Sequence, residues 1–181
     1  MNNQPANLII PASLTTIGNA AYANGGYTSV SIHNKVTAIE AAAFMRNQLA
    51  SASIGTAVVS IGDQAFAENK LSTVSIPDSV LDIGRKAFMA NQLGIIHIGN
   101  KVASIGDYAF ANNKLSSVII PPSVTSIGDE AFGGNQLISI TIGDTVTISG
   151  DGGFGSQFIQ IYQQNKGVGT KTYSFNGSKW T

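Results

Sequence analysis

Residues 98–141 read IGNKVASIGDYAFANNKLSSVI and then IPPSVTSIGDEAFGGNQLISIT, two copies of one 22-residue unit. Working outward, the unit places an aromatic at Tyr22, Phe44, Phe66, Phe88, Phe110, Phe132 and Phe154, with a spacing of 22 throughout. A unit of this length cannot bury its own apolar face and must stack on its neighbours, so the period predicts a solenoid. Full units start at Ile10, Ile32, Ile54, Ile76, Ile98 and Ile120. Residues 3–10, NQPANLII, match the back half of a unit, and the copy after Ile142 decays through ISGDGGFGSQFIQIYQ. The expectation is a mainly β, right-handed repeat solenoid of about seven rungs over residues 1–163, with a parallel sheet and one short helical turn per rung.

Within a unit the residue types assign the elements. Leu115, Val118 and Ile120 follow L-x-x-V-x-I, which reads as a short strand with those side chains inward and Ser116, Ser117 and Ile119 outward. Pro121 lacks an N–H and marks the strand's end. Val124 and Ile127 make a second inward pair before Gly128. Asp129, like Asp63 and Asp107, is placed to cap the amides of a helical turn, after which Ala131 and Phe132 point inward. Asn47, Asn69, Asn91, Asn113 and Asn135 precede each strand's Leu by two residues, and as a buried column they must hydrogen-bond free backbone groups at the turn.

Units three and five agree at 15 of 22 positions, units three and four at 8, and Pro77 and Pro121 alternate with Gly55, Gly99 and Gly143. The unit of recent duplication is therefore 44 residues, which suits a module copied for length and surface better than an enzyme.

Hydrophobic residues are 43% and charged residues 11%, where about 25% charged is usual, so Ser, Thr, Asn, Gln and Gly must cover the surface. Ten basic and ten acidic residues balance, which argues against nucleic acid and anionic membrane as partners. No Cys is present, excluding disulfides, thiolate metal sites and a Cys nucleophile. No apolar run approaches the roughly 18 residues of a bilayer span, so no membrane insertion is expected, and the first residues do not form a signal peptide.

The pattern L-x-x-V-x-I-P-x-S-V-x-x-I-G-x-x-A-F-x-x-N resembles the leucine-rich repeats of the BspA-like, or Treponema-type, family of bacterial surface proteins. The resemblance covers about residues 3–163, and its specific core is I-G-x-x-A-F, as in Ile61-Gly62-Asp63-Gln64-Ala65-Phe66. The commoner family unit is one residue longer and often has Cys near the Asn position; this unit is shorter and Cys-free. The resemblance implies a curved leucine-rich-repeat solenoid and an extracellular or cell-surface adhesion role.

Chemistry is hard to find. His33 and His97 have no ligand-spaced partner, the Gly-rich run at 149–155 aligns with residues 127–133 as a worn repeat, and no catalytic triad, phosphate loop or carboxylate pair stands out. No catalytic, cofactor or metal site is expected. Functional variation falls on the outward strand positions, where Ile95, His97, Ser117, Ile119, Ile138, Thr141 and Ile161 are the candidates for contacting a partner. The reading is a non-enzymatic protein-binding or adhesion module whose partner is another protein, of a host or extracellular matrix, or a glycan. The alternatives are recognition of a polysaccharide or repetitive surface by Ser/Thr rows, and a spacer beside a further domain.

In the tail, 164–181, Asn176-Gly177 between alternating aromatics predicts a two-residue hairpin in which Phe175 pairs with Ser178 and Tyr173 with Trp180. It is read as a C-terminal cap or the start of a following module. Because the chain begins in mid-repeat, it is expected to be a piece of a longer protein, with Ile10, Leu14, Ile17, Tyr22 and Val30 open on one side and self-association through that first rung.

Overall fold

The computed structural model describes residues 7–181. From the amino end the strands are β1 (Leu8–Ile9), β2 (Thr16–Ile17), β3 (Ser29–Ser31), β4 (Ala38–Ile39), β5 (Ser51–Ser53), β6 (Ser60–Ile61), β7 (Thr73–Ser75) and β8 (Asp82–Ile83). They continue as β9 (Ile95–His97), β10 (Ser104–Ile105), β11 (Ser117–Ile119), β12 (Ser126–Ile127), β13 (Ser139–Ile142) and β14 (Thr147–Ile148), followed by helix α1 (Ser156–Gln164) and β15 (Lys171–Ser174). Strands pair in parallel at a register offset of 22 residues, as in Ser104 opposite Ser126. The fold is a mainly β parallel solenoid of about six turns.

Each rung presents two strands. The short ones, β2 to β14, form a single seven-stranded sheet. The long ones, of the L-x-x-V-x-I pattern, split into β1-β3-β5, β7-β9 and β11-β13, the last extended antiparallel by the tail strand β15. Their inward residues alternate with exposed ones as the period of two requires, Val118 buried between Ser117 and Ile119.

Between the strands runs the aromatic column. Phe44, Phe66, Phe88, Phe110 and Phe132 are fully buried, and consecutive rings from Phe44 to Phe154 stack with centroids 5.0–5.4 Å apart. That spacing is close to the rung repeat of a sheet, so one register serves both backbone and rings. At the amino end Tyr27 meets Tyr22 edge-on at 6.2 Å. At the other end Phe158 sits 5.0 Å from Phe154 and takes Tyr173 and Trp180 edge-on.

The turn carrying each Phe differs from the expected helical turn. Its bonds are two successive i→i−3 turns, Ala43 N–H to Glu40 O and Met45 N–H to Ala42 O, while the alternate amides of Ala42, Phe44 and Arg46 donate to Asp63, Ala65 and Ala67 in the next rung. Residues 42 and 46 and their equivalents have positive φ, in eleven cases at residues other than Gly. The left-handed conformation costs about 1 kcal/mol or more per residue. It is held because the amide thereby bonds the neighbouring rung. Nor does the aspartate cap its own turn: Asp63 Oδ1 accepts from the Arg85 N–H at 2.8 Å and Asp107 Oδ1 from the Asp129 N–H at 2.9 Å, each one rung on.

The asparagine column binds the rungs together. Asn47, Asn69, Asn91 and Asn113 are buried. Asn91 Oδ1 accepts from the Leu71 N–H at 3.0 Å, and its Nδ2 donates to Phe66 O at 2.9 Å and Phe88 O at 3.1 Å. One carboxamide therefore satisfies a buried donor of the preceding rung and a carbonyl in each of two rungs.

Three further expectations are corrected at the ends. Ile10, Ile17 and Val30 are buried, and only Leu14 and Tyr22 are half-buried, because Leu8 and Ile9 form β1 against Val30 and Ser31 and Tyr27 covers the first ring; Asn3 and Pro5 lie outside the described residues. In the last rung the register slips by one, Ile148 rather than Ser149 standing opposite Ile127, which the glycines at 150, 152 and 153, all with positive φ, absorb before Phe154 regains the ring column. The tail pairs Phe175 with Trp180, two residues beyond the expected Ser178. Asn176 Oδ1 accepts from both Ser178 and Lys179 amides, so the loop is Gly177-Ser178.

Removing Phe88 to Ala should cost about 3–5 kcal/mol. Asn91→Ala strands several buried backbone groups at about 1–3 kcal/mol each and is expected to match that loss, although it deletes a small polar side chain. Urea unfolding of the two variants checks this; an Asn91→Ala change below about 1 kcal/mol would show the column to be dispensable.

Candidate functional site

The long-strand face is divided by the Pro/Gly alternation. Strand β7 is followed by Pro77 and β11 by Pro121, whereas β5 and β9 are followed by Gly55 and Gly99. Glycine is needed where it stands: a Cβ on Gly99 would fall 2.3 Å from the Pro77 carbonyl oxygen, and one on Gly55 2.6 Å from that of His33. Pairing survives where Gly stacks on the preceding rung and fails where Pro does, between β5 and β7 and between β9 and β11. Within β7-β9 the amides of Gly94 and Ile76 bond Ser72 and His97 across the rungs. Among the described residues no such bonds join β9 to β11. The proline ring brings bulk and no donor to a rung whose neighbour is fitted for a bare backbone. The face thus opens with the 44-residue period seen in the sequence.

The opening between β9 and β11 is a cleft of about 360 Å³, with Ile95, His97, Ser117, Ile119 and Pro121 in its lining. Ile95 and Ile119 are each 70% exposed. They lie diagonally across the opening, Ile95 in the column of Ser117 and Ile119 in that of His97. On the neighbouring rung Ile138 is 56% exposed, immediately before β13. In the first three full strands, β3, β5 and β7, the same columns hold Ser29, Ser31, Ser51, Ser53, Thr73 and Ser75.

Two sequence candidates are placed differently. Thr141 is half-buried, its hydroxyl 2.7 Å from that of Thr172, because β15 adds antiparallel to β13 and covers that column. Ile161 is not on a strand at all. The segment 156–164 is helical, with Phe158 and Tyr162 buried at i and i+4 and Ile161 half-buried against the core. Tyr162 is fixed by donating to Gly143 O at 2.9 Å and Val146 O at 3.0 Å, and burial raises its pKa above the ordinary tyrosine value.

Sequence reasoning missed Ile9, 84% exposed in β1 and in the same column as Ile119; extending the columns one rung back would have found it. It also missed Val59 and Leu81, neighbouring exposed residues just before β6 and β8. His33 is structural: its Nε2 lies 3.0 Å from Pro11 O and its Nδ1 accepts the Lys35 amide. The described residues contain no cluster of metal-ligating side chains and no helix long and apolar enough to cross a membrane. Their one ion pair, Arg46–Glu68, is exposed.

A family model described as the BspA type leucine rich repeat region, of six copies, matches residues 2–93 and 82–181. Among solved structures the chain is similar to the pneumococcal vaccine antigen PcpA, at 21% identity and a TM-score of 0.68, over 84% of this chain and 42% of that one. It is similar also to a leucine rich cell surface protein from Faecalibacterium prausnitzii, at 25% identity and a TM-score of 0.53, over 77% of this chain and 48% of the other. A leucine-rich repeat protein from Eubacterium ventriosum shares 19% identity with a TM-score of 0.52, over 84% of this chain and 34% of its own. The chain spans less than half the length of each. No curated protein matches it.

The split face makes a measurable difference in protection. The amides of Ile98 and Ser116, at the β9/β11 opening, are expected to exchange with solvent at least tenfold faster than those of Ile76 and Ile138, which occupy the same positions beside intact ladders. Hydrogen exchange by NMR reads all four; equal protection would mean that the ladder closes in solution.

Proposed function

Since the chain belongs to the BspA-type leucine-rich repeat family, we propose that it is a non-enzymatic protein-binding or adhesion module of a bacterial cell-surface protein. Its contact surface is the long-strand face around Ile95, His97, Ser117, Ile119 and Ile138. The observation that carries this reading is the β9/β11 cleft, where two isoleucines stand 70% exposed in columns that β3, β5 and β7 fill with Ser or Thr. Exposing such side chains gains nothing for the fold, and exposed apolar residues rimmed by polar ones are the mark of a protein-contact surface. Three isoleucines are far short of the roughly 800 Å² per partner of a stable complex, so they form the centre of a contact whose rim is the Ser/Thr columns. The names of the similar structures, a vaccine antigen and a cell surface protein, agree with a surface location.

The test is binding of the protein to a panel of immobilised extracellular-matrix proteins, run beside a glycan array. Ile95→Asp with Ile119→Asp should weaken any protein contact at least tenfold with an unchanged melting temperature, since neither side chain is in the core. Undiminished binding by the double variant moves the site elsewhere. Binding confined to glycans, and insensitive to the isoleucines, would replace this reading with recognition by the hydroxyl rows.

A further inference from the structure

The asparagine column stops one rung before the aromatic column does. In five successive rungs a carboxamide oxygen accepts the N–H of the residue 20 positions earlier, from Tyr27 bonded by Asn47 to Leu115 bonded by Asn135. The same carboxamide's NH2 donates to two aromatic-residue carbonyls, as Asn135 does to Phe110 O at 2.9 Å and Phe132 O at 2.8 Å. The next in the series would sit at residue 157 and serve Leu137 N–H, Phe132 O and Phe154 O. That residue is Gln157, and the chain has already left the rung at Gly155, φ 86° and ψ 150°, to enter α1. Its Oε1 accepts instead from the Trp180 N–H at 2.9 Å.

Three backbone groups are left as a template without its usual occupant. Among the described residues nothing accepts from Leu137 N–H or donates to Phe154 O, and Phe132 O carries one of the two carboxamide bonds that Phe110 O carries. A cleft of about 290 Å³ lies beside two of them, those of Leu137 and Phe154, and is lined also by Asn135, Gly155, Phe175 and Trp180. It is at the lower edge of the size of ligand pockets, suited to a small group. The Phe175 and Trp180 rings, 5.4 Å apart and tilted by 46°, add apolar faces on which a planar amide can lie.

We propose that this cleft binds a primary carboxamide, its oxygen accepting from Leu137 N–H and its NH2 donating to the carbonyl of Phe154. The arrangement selects against a carboxylate, which would set negative charge against the Phe154 carbonyl oxygen, and against an N,N-dialkyl amide, which has no donor. A free small amide and an Asn or Gln side chain on another chain both present this carboxamide, and the chemistry of recognition is shared.

The experiment is a ¹H–¹⁵N titration of the whole chain with propanamide, with propanoate and N,N-dimethylpropanamide as controls. Propanamide should shift the Leu137 amide saturably and slow its hydrogen exchange, with half-saturation on the order of millimolar for a ligand of about five heavy atoms. The Leu115 amide, already bonded by Asn135, should not move. A second arm compares acetyl-Ala-Asn-Ala-N-methylamide with its Asp counterpart. Binding of the Asn peptide at least tenfold tighter than propanamide identifies a protein-borne side chain as the ligand; binding of propanamide alone identifies a free amide. No saturable shift at Leu137 with propanamide or with the Asn peptide overturns the proposal. So does an equal shift with the dimethyl amide, which would reduce the cleft to an apolar surface.

Discussion

A chain that turns a corner against a hydrophobic core leaves backbone N–H and C=O groups that no strand ladder can reach, and each such group costs about 1–3 kcal/mol if buried unpaired. In this solenoid the asparagine column reaches them. Each carboxamide takes the amide two residues before the preceding rung's long strand and ties together two Phe carbonyls, so the bonds run between rungs as much as within them. The aromatic column contributes more apolar area, but stacked rings would tolerate sliding and rotation. The directed bonds of the carboxamide, together with the strand ladders and the turn amides, fix one rung on the next at a single register. The ring spacing of 5.0–5.4 Å is the consequence.

That constraint explains why the turns accept so much conformational cost. Eleven residues other than Gly sit at positive φ, among them Arg46, Glu68 and Tyr108. At each inter-rung contact the left-handed residue swings its N–H out of its own turn and into the neighbour's carbonyl, so that alternate amides are used inside and between rungs. A regular helical turn would direct its amides along its own axis and leave the stack to side chains. The exchange favours the stack because about 1 kcal/mol or more of backbone strain is offset by a buried bond that would otherwise be missing.

What could be read from the residues followed from this economy. The period, the ring column, the buried asparagines and the inward Leu, Val and Ile are repeated in every unit, and repetition makes a physical requirement visible. The turn conformation was not legible, because Ala, Lys, Gln and Tyr give no signal for positive φ. The splitting of the long-strand sheet was present in the Pro/Gly alternation, but its effect depends on which rung stacks on which. Helix α1 was misread because Ile159 and Ile161 imitate the strand period, while the side chains that decide the matter, Phe158 and Tyr162, are four apart. The hairpin pairing slipped by two residues because the Asn176 side chain, rather than the Asn-Gly backbone, closes the loop. At the candidate site, Ile95, His97, Ser117, Ile119 and Ile138 were legible as outward positions, whereas Thr141 and Ile161 were altered by elements that do not belong to the repeat.

The two ends of the molecule show the same physics acting without repetition. At the amino end Tyr27 replaces the usual Leu and closes the ring column edge-on. At the other end three glycines absorb a one-residue slip, α1 places Phe158 over Phe154, and β15 takes the open edge of β13, so that rings, core and ladder are each given a partner. The duties of the fold are thus carried by the turn, the asparagine and the inward side chains, and none by the outward positions of the long strands. Those positions are free to change from Ser to Ile or His without cost to the stack, and it is there that the rungs differ.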